Sequence, residues 1–251
     1  MHSRSRSTAR GRGVTLARAL SKAGVASRAE AARLIREGAV TVNGATVLAP
    51  GAWIDPRSAS VALRGRPVGP PARVYLAMHK PCGVVTTRSD EMGRPTVYGL
   101  LPKSLPLVFP VGRLDRDTSG LLLFTNDTRF GERVAGAAHG VPKTYLVTLE
   151  HALDARGAAA LRRGVALPGG EHCRPAILEA DMKDPRRCRL VITEGKNRQV
   201  RRMFAAVGNV VVALRRVAVG GVRLGPMKEG EVRPLTQQEV AGLMGDGGSR
   251  G

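Results

Sequence analysis

Apolar residues first recur at helical spacing. Leu16 and Leu20 begin a short helix, and Gly24 sits where it would end. Ser27 and Glu30 in "SRAEAARLIREG" have the spacing of a capping box; Ala31, Leu34 and Ile35 then form one apolar face, and Gly38 stops the helix. The period next drops to two: "AVTVNGATVL" is a pair of alternating runs around Asn43-Gly44, a strong hairpin signal. "RGRPVGPPAR", Arg64 to Arg73, combines Gly, Pro and Arg with almost no apolar content and reads as a linker. Beyond it, "VYLAMHKPCGVVTT" predicts a strand, a Pro/Gly turn and a second strand, and "RPTVYGLLP" a short helix. "LVFPVGRL", "GLLLFTND", "TYLVTLE" and "RCRLVITEG" predict further strands. In "KNRQVRRMFAAVGN", Val200, Met203, Phe204 and Val207 fall at i, i+3, i+4 and i+7, so this segment is a helix; Thr236 and Glu239 form another capping box before a closing helix.

This pattern predicts an α+β chain on a mixed, mainly antiparallel sheet. Its expected parts are a basic tail over residues 1–13, a small domain over 14–63, the linker over 64–73, a larger domain over 74–244 and a short tail over 245–251.

Charge sharpens the picture. The 251 residues include 40 Lys+Arg and 20 Asp+Glu, a formal net charge of +20, and half of that excess lies in residues 1–73. Such an excess favours a polyanionic partner, because neutralising phosphates releases condensed counterions. An anionic membrane is the rival, but no apolar run is long enough to span a bilayer. Cys82, Cys173 and Cys188 are odd in number and scattered, and the five His show no ligand spacing; neither a disulfide framework nor a metal site is expected, which fits a reducing cytoplasm. The start, "MHSRSRSTARGRG", lacks the apolar core of a secretory signal; it resembles an organelle transit peptide in composition, but a basic tail tracking phosphates is simpler. Arg18, Lys22, Arg28, Arg33 and Arg36 occupy the polar positions of the first two helices, and two helices plus a hairpin with this charge resemble the αL RNA-binding module of a small-subunit ribosomal protein.

Candidate chemistry is concentrated in three places. No P-loop, dinucleotide-binding Gly-rich turn or Gly-x-Ser-x-Gly elbow is present. "VGRLDRDTSGLLLFTND" holds two acids, Asp115 and Asp117, in a segment whose Gly112, Thr118, Ser119 and Gly120 signal a bend. Both could be turn acceptors; equally, a carboxylate on an RNA-facing surface repels phosphate, and flanking Arg113 and Arg116 would keep it ionised as a nucleophile or base. In "EGKNRQVRRM", Arg198, Arg201 and Arg202 are expected on one helix face without acidic partners, with Asn197 able to cap the N-terminus, an arrangement inviting an anion. Tyr145 is one of few aromatics and, with Lys143 on the same side two residues earlier, could give a base-and-phosphate contact; the alternative is half-buried packing.

Together "GRLDRDTSGLLLFTND", "KTYLVTLE", "EGKNRQVRRMFAAVGN", "KPCGVVTT" and the first module resemble the RsuA/RluB/RluE/RluF group of ribosomal-RNA pseudouridine synthases, from about Thr15 to Met244. The resemblance implies the pseudouridine synthase fold, isomerisation of uridine in ribosomal RNA, no cofactor and no metal, and a protein acting as a monomer. It makes Asp115, not Asp117, the catalytic aspartate, and Tyr145 the residue packed on the target base. Arg201 becomes the basic partner of the aspartate, and Arg113 an aid in displacing the nucleotide. Asp117 is then left as the turn's own acceptor. His79 stands where this group usually has Asn. "RSDEMGRPTV" is similar to the large-subunit enzymes and "KTYLVTLE", "MFAAVGN" and "VRPLT" to the small-subunit one; the large subunit is the expectation. The competing readings are a non-catalytic RNA-binding or ribosome-assembly protein on the same fold, and a DNA-binding protein.

Overall fold

Two hydrophobic cores form, one on each side of Arg73. The computed structural model describes residues 13–56, 58–69, 72–167 and 170–245, so the expected tails at 1–12 and 246–251 lie outside the described residues. The chain divides after Arg73, and Ser104–Leu107 groups with the first unit.

In the first unit β1 (Val14–Thr15) leads into α1 (Leu16–Lys22) and α2 (Arg28–Arg36), followed by β2 (Val40–Val42), β3 (Ala45–Thr46), β4 (Trp53–Ile54), β5 (Val61–Leu63) and β6 (Arg66–Val68). Leu16, Leu20, Ala31, Leu34, Ile35 and Val40 bury together, as their spacing requires. Asn43 and Gly44 both take positive φ, 51° and 82°, the conformation of a two-residue hairpin turn. Only half of the first capping box forms: the Glu30 amide donates to Ser27 Oγ, while the Glu30 carboxylate turns to Arg33. The expected linker contains a strand. Arg64 and Gly65 make a second tight turn with φ of 48° and 74°, and β6 pairs with β5 at the sheet edge, where Pro67 withholds no needed N–H.

The second unit holds β7 (Tyr75–Lys80), β8 (Phe109–Val111), β9 (Ser119–Thr125), α3 (Thr128–Ala135), β10 (Lys143–Leu149), α4 (Ala155–Arg163), β11 (Ile177–Ala180), β12 (Arg187–Ile192), α5 (Gln199–Ala206), β13 (Val211–Val219), β14 (Val222–Arg223), β15 (Val232–Pro234) and α6 (Gln237–Met244). The sheet order is β11-β12-β10-β13-β9-β7-β15, with β8 beside β9 and β14 beside β13. Every pairing is antiparallel except β13 with β9. Phe130, Val134 and Leu243 bring α3 and α6 onto Leu121, Leu123 and Ala77. Burying each such large side chain is worth about 1.5–3 kcal/mol.

The parallel seam between β9 and β13 spans only two residue pairs, Ser119 with Arg215 and Gly120 with Arg216. Gly120 has φ +108°, and a Cβ there would overlap the Arg216 backbone. The expected strand after the Pro/Gly turn is absent; Val85 makes a single bridge to Thr96, and "RPTVYGLLP" forms a 3-10 turn over Val97–Leu100. The Thr236–Glu239 capping box forms completely.

Candidate active site

The turn between β8 and β9 is fixed from two sides. Gly112 takes φ +76°, the Thr118 amide donates to the Asp115 carbonyl at 3.1 Å, and the chain re-enters the sheet at Ser119. Behind it the "KPCGVVTT" segment acts as a clamp: Thr86 Oγ1 donates to the Leu114 carbonyl at 2.7 Å, and the Gly83 amide donates to the Arg116 carbonyl at 2.8 Å. Leu114 is buried, so the side chain before Asp115 is a hydrophobic peg.

This bend separates the two acids. Asp115 opens into a cavity of about 390 Å³ lined also by Arg113, Lys143, Tyr145, Arg198 and Arg216. That volume lies in the range of small-molecule pockets. Asp117 lines a second hollow, of about 570 Å³, with Cys82, Ser119, Leu146, Arg189 and Arg215. Tyr145 and Leu146 are successive strand residues with side chains on opposite faces of β10, while Leu214 lines both hollows.

The arginines are distributed differently from expectation. Arg201 does not pair with Asp115. Its Nη1 donates to the Val211 carbonyl at 2.7 Å and its Nη2 to the Asp117 carbonyl at 2.8 Å. Its Nε lies 3.1 Å from Asp117 Oδ2 but lacks hydrogen-bond geometry. Tied to the Asp117 side of the bend, it serves that acid. Arg198 contacts both: 3.2 Å to each Asp117 oxygen, and 3.8 Å from Nη1 to Asp115 Oδ2. Burial tends to raise the Asp117 pKa, but the Arg198 hydrogen bonds and the Arg201 and Arg198 charges outweigh it and hold this carboxyl below its ordinary value. Asp117 is therefore an arginine anchor rather than merely the turn's own acceptor.

Arg198 also departs from the expected helix. It is the N-cap of α5, in left-handed conformation at φ 46°, ψ 32°, and α5 starts only at Gln199. A non-glycine residue there is strained, and such strain concentrates at functional sites. Asn197 does not cap; its carbonyl accepts from Arg202 Nη1 at 3.5 Å. Arg202 pairs with Glu171 at 2.7 Å, so all three arginines of this cluster have carboxylate partners. The preceding loop is folded around buried Gln199, whose Nε2 donates to Glu194 Oε1 and whose Oε1 accepts from the Lys196 amide at 2.9 Å.

Tyr145 is buried on β10 opposite Arg216 of β13, where a bulge lets the β10 register skip Val217. Bulges re-aim side chains beside active sites. Lys143 is buried on the same side, inside the sheet rather than on a phosphate-facing surface. Arg113 is exposed at the cavity rim. In the first unit Arg18, Lys22, Arg28, Arg33 and Arg36 are all exposed as expected, but Arg33 is held by Glu30 and Glu37 at 2.5 Å each.

Two charged residues were missed. Lys80 is fully buried; its Nζ donates to the Pro81 carbonyl at 2.8 Å, and burial lowers its pKa against the opposing pull of Cys82, Asp117 and Asp115. Arg216 is buried with its Nε on the Leu121 carbonyl at 2.8 Å. The signal for Arg216 was present: "VVALRRVAV" places two arginines in an apolar run, which no surface strand requires. Among the described residues no cluster of His, Cys, Asp or Glu could hold a metal ion, and no helix is long and apolar enough to cross a membrane.

Comparison with known proteins identifies the family. Residues 74–206 match the family model for RNA pseudouridylate synthases, and residues 14–52 match the S4 domain. The chain is 40% identical to an uncharacterized RNA pseudouridine synthase of Mycobacterium tuberculosis (strain ATCC 25618 / H37Rv), over 92% of this chain and 93% of that protein. It is 36% identical to ribosomal large subunit pseudouridine synthase B of Bacillus subtilis (strain 168), over 91% and 94%. With ribosomal small subunit pseudouridine synthase A of Yersinia pestis it shares 40% identity over 86% and 92%. A crystal structure of a pseudouridylate synthase superimposes with a TM-score of 0.67 at 35% identity, covering 92% of this chain and 99% of the other.

Proposed function

The chain belongs to the RNA pseudouridylate synthase family, and from that premise we propose that it converts a specific uridine of ribosomal RNA to pseudouridine, with Asp115 as nucleophile. One observation supports this above others: a one-third-exposed carboxylate, 34% accessible, shares a cavity of nucleoside size with Tyr145. A flipped uridine entering that cavity would lay its base against Tyr145 and bring its sugar to Asp115, recovering the few kcal/mol lost on unstacking. Arg198, rather than Arg201, is the arginine that attends Asp115, and Arg113 at the rim is placed to fill the space the nucleotide leaves. Uridine and pseudouridine are isomers, so no oxidant, reductant or co-substrate enters the balance. Its action as a monomer is part of the same proposal.

The exposed cations of the S4 domain support RNA capture. We favour the large-subunit RNA as substrate, on the "RSDEMGRPTV" stretch, and the cytoplasm as the place of action. Mapping pseudouridine across both ribosomal RNAs in cells with and without the protein tests the activity and identifies the site. Asp115→Asn separates an enzyme from an RNA-binding protein on the same fold: loss of isomerisation with RNA affinity kept within about threefold supports the nucleophile, and continued conversion refutes it.

A further inference from the structure

Lys143 presents a problem that the proposed reaction does not address. Its side chain is 6% exposed, its Nζ is sealed from solvent, and it has no hydrogen-bond partner among the described residues. It lines the Asp115 cavity. Burial, and next the nearby Arg216 charge, push its pKa down to about 8. An ammonium left unpaired in a protein interior costs several kcal/mol unless an anion arrives to meet it.

Two parts of a bound nucleotide could supply that anion. The phosphates stay with the RNA backbone, where exposed Arg113 and Arg198 stand at the cavity rim. The base goes deepest, against Tyr145. Lys143 and Tyr145 are i and i+2 on β10, so their side chains stand side by side about 7 Å apart, within the span of one uracil.

Resting on the reading above, we propose that Lys143 is a catalytic residue whose ammonium donates a hydrogen bond to a carbonyl oxygen of the target uracil and stabilises the negative charge the base acquires when it leaves the ribose. An Asp115 carboxylate oxygen attacks C1′ as the N1–C1′ bond breaks with its electron pair on the base, where the charge spreads over N1 and the two carbonyl oxygens. The base turns, C5 supplies a pair to form the new C5–C1′ bond as the Asp115–C1′ bond breaks and frees the carboxylate, the C5 proton departs to solvent and N1 takes up a proton. Lys143 keeps its proton throughout. A preorganised donor facing developing charge in a dry site is the arrangement that accelerates such a step, and removing one donor of this kind typically costs about 10²–10³ in rate.

The test uses the full chain and in vitro transcripts of small- and large-subunit ribosomal RNA, made with uridine or with 5-fluorouridine. The fluorine makes the base a better leaving anion, so it needs Lys143 less. Under single-turnover conditions Lys143→Met lowers the rate on uridine about 100-fold, with the RNA Kd within about threefold, and Lys143→Arg recovers much of it. On 5-fluorouridine RNA, followed as loss of 5-fluorouridine from nuclease digests, the Lys143→Met defect shrinks to about tenfold or less. Equal defects on both substrates would overturn the proposal, as would a variant that loses affinity but keeps its rate, which would make Lys143 a phosphate contact. Should Lys143→Met not fold, Lys143→Gln carries the same comparison. A folded wild-type protein that isomerises neither transcript would instead overturn the reading on which the proposal rests.

Discussion

Lys143→Met should make the protein more stable, and the gain should vanish at high pH. The ordinary lysine value of 10.5 falls to about 8 in the folded chain. At 1.36 kcal/mol per unit, this difference makes the charged lysine cost roughly 3 kcal/mol at pH 7. The sign follows from proton counting. Below pH 8 both folded and unfolded chains hold the proton and the cost is complete. Between 8 and 10.5 the unfolded chain holds more protons, so wild-type stability rises with pH. Above 10.5 the amine is neutral in both states and the cost is gone. Methionine matches the lysine stem in length and has no charge to desolvate, so it removes the cost at every pH. Urea unfolding of both proteins at pH 7 and pH 10.5, followed by far-UV circular dichroism, gives the difference directly, and other titrations cancel in it. We expect the variant to be about 3 kcal/mol more stable at pH 7 and under about 1 kcal/mol more stable at pH 10.5. A stability difference that does not narrow with pH would refute the reasoning and imply that Lys143 is paired in solution.

The other expectations concern separate parts of the molecule. Asp117→Asn should cost about 1 kcal/mol of stability, since its ion pairs are half exposed, while Asp115→Asn costs less than about 0.5. With its pKa held down, the Asp117 contribution is present above pH 3.8 and lost as pH falls through the folded value, which acid titration of the two variants would reveal. Gly120→Ala should destabilise by more than about 3 kcal/mol or prevent soluble expression, since a Cβ would meet the Arg216 backbone in the parallel seam; a variant within 1 kcal/mol of wild type by urea unfolding would contradict that contact. Arg28→Gln should reduce the slope of log RNA affinity against log salt by nearly one, and Arg33→Gln should leave it almost unchanged because Glu30 and Glu37 already neutralise that arginine.

Legibility from sequence followed the range of the interactions. The first two helices, the Asn43-Gly44 turn and both capping-box starts could be read because their causes lie within four residues. Strand β13, nine residues long and central to the sheet, escaped because Arg215 and Arg216 interrupt its apolar run and its apolar and polar residues do not alternate as in a half-solvated strand. The short helices α3 and α4 were missed although Asp127 and Asp154 cap them, since neither carries a long apolar stripe. At the site, the turn bearing Asp115 was legible from its glycines and acids. Which arginine attends which acid was not, because that depends on a left-handed residue at 198 and on a bend that turns the two acids apart while leaving Arg198 in reach of both. The inference that three arginines lacked acidic partners failed for a related reason: Asp117 and Glu171 are remote in sequence and adjacent only in the fold.

Cys82, on the segment that clamps the Asp115 turn, gives the protein a built-in attachment point. It is exposed, whereas Cys173 and Cys188 are buried and burial raises both thiols, Cys188 to about 11. A maleimide at neutral pH should therefore modify one position of the natural sequence, with no cysteine removed first. That position borders the hollow holding Asp117 rather than the one holding Tyr145. A fluorophore or nitroxide placed there would sense motion of the clamp on addition of RNA while leaving the cavity lined by Asp115 and Tyr145 clear. The chain thus permits the timing of substrate engagement to be followed optically or by electron spin resonance, separately from the chemistry it precedes.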